Sequence, residues 1–339
     1  MKLLILSDAN SIHTQKWAFS LKKEGINVRL FSLFKPNDVN AKKYSNFGIE
    51  VNSVDLKPKL KKLRYPNIGK LIYISSFPLL KKIIKSFSPK IIHAHYASSY
   101  GILGLLCKFK PFIVSVWGSD IYDFPNYNIL NKWVLNKVIN SADQICSTSK
   151  AMQQIVSNNF NRDDSHLVPF GVDTNEFRPS LNNSKLFTVG TIKSIESHNG
   201  IDCLIDAANI LVNDWKYTKI HFLIIGEGSL LKEMKQKCKK LKIEKNFKFT
   251  GYILHENIVE YFQKLSIFVA VSTRESFGVS ILEAAACGIP AITSNVGGLP
   301  EVNNDQESGF LIPPKNAKLL AQKILKLYKD EELRKNMGN

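Results

Sequence analysis

Apolar residues along the chain fall into short blocks that run into polar turns, and most of the turns lead into a longer segment with helical spacing. In the first half, Lys2–Ser7, Val28–Leu33, Lys90–His95, Pro111–Val116 and Gln144–Thr148 predict strands. In the second half, Leu186–Gly190, Ile220–Ile225, Phe247–Gly251, Ile267–Val271 and Ala291–Thr293 do the same, and Gly309–Pro314 precedes a last helix, Ala317–Tyr328. Helices are expected at Gln15–Lys23, closed by Gly25, and at Asn67–Ser86 with a break at Pro78. Others are expected at Ser98–Cys107, at Leu130–Asn140, after the capping Ser149, at Ile201–Val212 and from Ser229. Strands that alternate with helices predict parallel sheets with right-handed crossovers. Leu167–Pro179 is rich in turn formers and divides the chain, giving expected domains 1–178 and 179–339.

The stretch Ser272–Pro290 carries the most chemistry. A strand, Ile267–Val271, enters a polar turn holding Glu275, Ser276, Phe277 and Gly278, and a helix runs from Val279 to Cys287 before Gly288 and Pro290 end it. Free N–H groups at the start of such a helix favour a phosphate above the turn. Gly278 offers no side chain, so a ligand can approach the backbone there. Glu283 lies on the helix, and helical side chains lean toward the N-terminus and thus toward the same space. An anion-binding turn between two carboxylates suits a sugar nucleotide: the turn takes the diphosphate, and the carboxylates accept hydrogen bonds from sugar and ribose hydroxyls.

Charge adds a second feature. Met1–Arg178 carries 25 Lys+Arg against 12 Asp+Glu, a balance of +13, while the remainder carries 21 against 17, a balance of +4. Between Leu56 and Ser119 there are twelve basic residues and no acidic one, with apolar groups among the lysines. Either this is a solvated basic face, or residues 57–90 meet an anionic membrane or polyanionic acceptor. No motif for nucleic acid accompanies the charge. The chain starts with a short apolar strand rather than a signal peptide, and no run approaches the ~20 apolar residues of a membrane span. Cys107, Cys146, Cys203, Cys238 and Cys287 are scattered and lack metal spacing, as expected of reduced thiols in a cytoplasmic protein.

In the first domain, the turn after strand Lys2–Ser7 holds His13 and Thr14, and ligands of parallel sheets collect at such turns. His93 and His95 fall on one side of a strand. They could chelate a metal, but no third ligand is near. One is expected to be a buried structural histidine, while His95, at the strand end, is placed to reach the site.

Glu275-x7-Glu283 with Ser276-Phe277-Gly278 after the first Glu resembles the signature of family-4-type (GT4) retaining glycosyltransferases, whose fold is GT-B. The resemblance covers nearly the whole chain. It is specific from Gly251 to Pro313 and looser before. It implies two Rossmann-like α/β domains with parallel sheets facing across a cleft, the acceptor held by the first and the donor by the second. It also implies that Glu275 contacts the donor sugar and Glu283 the ribose, with the backbone of Phe277, Gly278 and Val279 near the phosphates. Gly190, followed by Lys193, matches the place of a diphosphate-binding cation, while His198 or Asn199 stands where relatives have a second Lys. Gly226-Glu-Gly228 fits a phosphate or base site, and the usual Gly-rich first turn is replaced by Ser11-Ile12-His13-Thr14.

Trp117 stands where many relatives have a His near the transferred sugar, and Gly118 and Asp120 follow as in the family. Trp cannot act as a base or charged donor. Three readings stay open: Asp120 or His95 takes the polar role, a partner subunit is needed, or the chain is inactive. Relatives that otherwise look ordinary carry Trp-Gly-Ser-Asp here, which favours the first. Relatives also continue with a helix crossing back to the first domain, which looks short or missing at Asn339.

The implied reaction moves a sugar from a UDP- or GDP-sugar to an acceptor hydroxyl with retained configuration and without a metal or other cofactor. Together with the basic first domain, it points to a lipid-linked oligosaccharide acceptor, at the inner face of the cytoplasmic membrane, in bacterial surface polysaccharide assembly. Two alternatives remain, a sugar-nucleotide epimerase of the same fold and a non-catalytic subunit of a transferase complex.

Overall fold

The computed structural model describes residues 1–56, 68–180 and 186–339. Its contacts divide the chain into two compact units, Met1–Pro169 and Phe170–Asn339. Each is a parallel sheet with helices on its faces.

The first unit has seven strands: β1 Lys2–Leu6, β2 Asn27–Ser32, β3 Glu50–Ser53, β4 Ile91–His95, β5 Phe112–Val116, β6 Gln144–Ser147 and β7 His166–Leu167. Their order across the sheet is β3-β2-β1-β4-β5-β6-β7, and every pair is parallel. The chain moves outward from β1 to β3 and then returns to β4 on the other side of β1. That reversal leaves a crevice outside the carboxyl ends of β1 and β4. Leu4, Leu6, Ile92, Ala94 and Val114 fill one core face; Leu3, Ile5, Val28 and Leu30 fill the other.

The second unit repeats the plan. Its strands are β8 Thr188–Ile192, β9 His221–Ile225, β10 Phe247–Gly251, β11 Ile267–Ala270, β12 Ala291–Ser294 and β13 Gly309–Ile312. Their order is β10-β9-β8-β11-β12-β13, again all parallel, and the reversal lies between β8 and β11.

Several elements differ from the expectation. The helix after β1 spans Ile12–Lys23, so His13 and Thr14 lie in its first turn rather than in the preceding loop. The helix Asp38–Asn46 and the strands β3 and β7 were not predicted. That helix buries only Asn40 and Tyr44, and β3 and β7 bury no side chain fully, so none has an apolar period to read. Pro78 sits in the first turn of the helix Phe77–Phe87, where its missing N–H breaks no bond. The boundary falls at Pro169 rather than Arg178 because Phe177 is fully buried in the second unit, its ring 5.8 Å from that of Phe262. After the helix Ala317–Lys329 comes a further helix, Glu331–Gly338, whose Met337 is buried in the second unit's core.

The basic segment 57–90 is seen in part. Residues 57–67 lie outside the described residues. In the helix Phe77–Phe87, Leu80, Ile83 and Phe87 face the core, while Lys81, Lys82 and Lys85 are exposed. No helix among the described residues is long and apolar enough to cross a membrane.

Phe177 is the anchor of the segment that opens the second unit. Phe177→Ala is expected to destabilise that unit by about 3–5 kcal/mol. Urea unfolding followed by the fluorescence of Trp215, with the other three tryptophans replaced by Phe, checks this; an unchanged midpoint would show that the segment is not part of the core.

Candidate functional site

In the second unit the loops after β8 and β11 meet at the point where the strand order reverses. Lys193 leaves β8 and forms an ion pair with Glu275 from the loop after β11. Their side chains are only 13% and 17% exposed, so both charges have lost most of their water. A pair this dry is held by mutual attraction against a desolvation cost. The two loops are also tied by backbone: Thr273 N–H donates to the carbonyl of His198 at 2.8 Å. The Asn199 amide donates to the Ser194 carbonyl and hydroxyl at 2.8 Å each. Asn199 thus braces the loop.

Glu283 is buried on the helix Val279–Ala286. Its Oε1 lies 3.1 Å from Nε2 of His255, which follows β10. Sequence reasoning missed His255, because nothing in the spacing links it to a residue 28 positions on. A third tie joins the loop after β9: Ser229 donates to Glu196 from its N–H at 2.9 Å and its hydroxyl at 2.6 Å.

The glycines expected to face the donor have internal reasons to be glycine. A Cβ on Gly226 would sit 2.0 Å from the Lys193 carbonyl, and one on Gly228 would sit 2.3 Å from the Ile195 carbonyl. Both let the loop after β9 run against the loop after β8. A Cβ on Gly190 would sit 2.3 Å from the Leu265 side chain, so glycine there makes room for core packing. Gly278, with φ at +103°, starts the helix in a conformation that side chains disfavour, and Ile281 and Leu299 fill the place of a Cβ. Phe277 is buried with its ring 6.4 Å from Phe170, whereas Ser276 and Val279 are partly exposed.

The first unit has a cavity of about 690 Å³ at the carboxyl ends of β1 and β4. Asp8, Ser11 and Ile12 form one side, and His95, Tyr96, Ser98 and Trp117 another, with Phe34, Tyr73, Asp123 and Tyr127 also on the walls. Tyr96 adopts φ of +78°, a strained conformation for an aromatic residue, directly after β4. Such strain clusters at functional sites. Asp8 was passed over in the sequence because it reads as an ordinary turn acid.

His95 is fully buried behind this wall, and neither ring nitrogen has a hydrogen-bond partner among the described residues. Its ring lies 4.6 Å from Trp117 and 4.5 Å from His93. Burial, then the neighbouring His93 and His13, hold its pKa well below the usual histidine range. His93 is bonded to the Ser115 hydroxyl at 2.8 Å, and burial pushes its pKa down to about 3. Both imidazoles are therefore neutral near pH 7.

Asp120 does not face the cavity, contrary to the expectation of a polar role there. It is fully buried, and its oxygens accept from the N–H groups of Ala97 at 2.9 Å, Trp117 at 3.2 Å and Gly118 at 2.8 Å. Burial raises its pKa, and those three bonds oppose the rise. Asp120 ties the loop after β5 to the loop after β4 and so sets the place of Trp117. Thr14 is likewise buried, bonded to the Ser7 hydroxyl at 2.6 Å, and His13 stands edge-on to Trp117 at 5.8 Å.

Comparison with known proteins gives two family matches, "Glycosyl transferases group 1" over residues 172–339 and "Glycosyl transferase 4-like" over residues 2–149. The chain is 28% identical over 332 residues to an uncharacterised glycosyltransferase of Methanocaldococcus jannaschii, covering 97% of this chain and 87% of that one. It is 26% identical over 271 residues to N-acetyl-alpha-D-glucosaminyl L-malate synthase of Bacillus anthracis, covering 73% and 68%. Among solved structures, sucrose-phosphate synthase from Thermosynechococcus elongatus superposes with a TM-score of 0.83 at 17% identity, covering 100% of this chain and 92% of that one. HepE of Anabaena in complex with UDP superposes with a TM-score of 0.79 at 20% identity, covering 100% and 93%.

The buried histidines make the first unit acid-sensitive. His93 has a folded pKa near 3, below the unfolded value of 6.5. Its stabilising contribution is present above 6.5 and is lost as the pH falls through that window toward 3. At pH 5 the loss is about 2 kcal/mol from His93 alone, and His95 shifts in the same direction. Denaturant midpoints of the first unit between pH 7 and pH 5 should fall accordingly, with a shallower slope in His93→Gln. A flat profile would mean that both rings keep their ordinary pKa.

Proposed function

Since the chain belongs to the GT4-like, group 1 glycosyltransferases with the GT-B fold, we propose that it moves a sugar from a UDP- or GDP-sugar to an acceptor hydroxyl with retained configuration. The observation that carries the proposal is the pairing of Lys193 with Glu275 and of His255 with Glu283 around one helix start. The donor diphosphate competes with Glu275 for Lys193 and also meets the N–H groups at Val279 and Ser280. Glu275, released from the ion pair, accepts hydroxyls of the donor sugar, while Glu283, held by His255, accepts those of the ribose. Lys193 offsets the charge that grows on the diphosphate as its bond to the anomeric carbon breaks. The acceptor oxygen bonds to that carbon on the same face, and its proton passes to the departing phosphate. No metal enters this scheme.

The first-unit cavity takes the acceptor in this reading, with His95 and Asp8 as its hydrogen-bonding groups. The named relatives differ in acceptor: one is an N-acetyl-alpha-D-glucosaminyl L-malate synthase by name, and others are phosphatidylinositol N-acetylglucosaminyltransferase subunits, at 22% identity. The +13 balance of Met1–Arg178 favours an anionic, lipid-linked acceptor at the inner face of the cytoplasmic membrane, as in bacterial surface polysaccharide assembly.

A thermal-shift screen with UDP, GDP and their sugars tests the donor site, because a ligand bound only by the folded state raises the melting temperature. One nucleotide should raise it, and Glu283→Ala should weaken that binding about tenfold or more. No shift with any nucleotide would count against this donor site and move weight to a partner-dependent subunit. A shift accompanied by conversion of the donor sugar without acceptor would favour an epimerase.

A further inference from the structure

We propose that Tyr127 and the exposed face at the start of the helix Ile129–Ser141 form the surface by which the first unit docks on an anionic lipid bilayer. The helix is amphipathic in the ordinary way on one side: Leu135, Val138 and Ile139 are buried. Its opposite side begins with Ile129, 87% exposed, Leu130, 63% exposed, and Trp133, 56% exposed, and Tyr127 just before it is 43% exposed. Large apolar groups concentrated on the water-facing side of one helix are a cost to a free protein and mark a contact surface. They are also held in place. The Asn128 side chain caps the helix by accepting from Asn131 N–H at 2.8 Å, and the Asn131 amide donates to the Phe124 carbonyl at 3.2 Å.

Chemistry and charge select a bilayer as the occupant. Trp and Tyr favour the headgroup level of a membrane, and Ile and Leu the acyl boundary below it. Lys132 and Lys137 share the exposed face, with the Lys137 Nζ 5.7 Å from the Trp133 ring. No acidic residue occurs from Phe124 to Ala142. A second copy of the chain would bring a net charge of +17 against another +17, whereas anionic lipid complements it. The patch is also continuous with the cavity: Tyr127 is exposed beside the patch and lines the cavity together with Asp123 and His95. Docking therefore sets the cavity mouth at the membrane surface. That the bilayer supplies a lipid-linked acceptor there rests on the transfer reading above, whereas the docking itself does not.

The test is co-sedimentation of the full chain with vesicles of phosphatidylcholine, with and without phosphatidylglycerol. Binding is expected to need the anionic lipid and to fall by roughly tenfold or more in the triple variant Ile129→Asn, Leu130→Gln, Trp133→Gln. The same triple variant should keep the wild-type melting temperature and any wild-type shift with UDP or GDP, so a failed donor reading leaves this readout intact. Undiminished vesicle binding by a folded triple variant overturns the proposal. So does concentration-dependent self-association that the triple variant abolishes without vesicle binding in either form, which would assign the face to a second copy. Should the triple variant not fold, Trp133 emission decides the matter, taken as the difference between wild type and Trp133→Phe. Quenching by brominated lipid supports docking, and emission unchanged by vesicles overturns it.

Discussion

Two neighbouring parallel strands cannot be joined by a tight turn, so the chain must cross back over the sheet after each strand. Every strand then ends on the same edge, and every loop that follows a strand opens there. Both units obey this constraint and both reverse strand order beside their first strand, between β1 and β4 and between β8 and β11. At a reversal the two loops part in opposite directions, leaving space for a ligand between them. The cavity with His95 and Asp8 occupies one such point, and the Lys193–Glu275 pair occupies the other. Residues far apart in sequence meet because of the topology, not because of any local motif.

The polar groups at these points divide into those that build and those that remain for chemistry. Asp120 spends its carboxylate on three backbone N–H groups, Asn199 spends its amide on Ser194, and Thr14 bonds to Ser7. Their burial would be costly without these partners. His95 is different, being equally buried but with ring nitrogens that no described residue satisfies. The Lys193–Glu275 and His255–Glu283 pairs lie between these cases, since each joins a titratable group on one loop to a carboxylate from another segment. Trp117, His95 and His13 form one aromatic cluster beside the cavity.

Much of the frame was legible in the residues alone. The strands that carry both sites were readable because buried strands of a parallel sheet are apolar on both faces. Glu275 and Glu283 were legible because a strand, a turn and a helix follow one another within a few residues, so local geometry sets their relation. The helix Asp38–Asn46 and the strands β3 and β7 were not, since they bury too little apolar surface to leave a pattern. The glycines were legible as special positions but not in their purpose. Gly190, Gly226 and Gly228 are small because Leu265 and the carbonyls of Lys193 and Ile195 press on them, contacts between segments distant in sequence.

The sequence by itself thus determined the two α/β units, the strand–turn–helix that holds Glu275 and Glu283, and the uneven charge, because these depend on near neighbours or on simple counts. Only the tertiary structure decided that Asp120 is a buried strut, that His255 pairs with Glu283, that His95 is buried with no hydrogen-bond partner among the described residues, and that Ile129, Leu130 and Trp133 face outward. Each of these depends on which distant segment supplies the neighbouring atoms. A residue's chemical type sets what it can donate, accept or bury, but its surroundings in the folded chain set which of these it does.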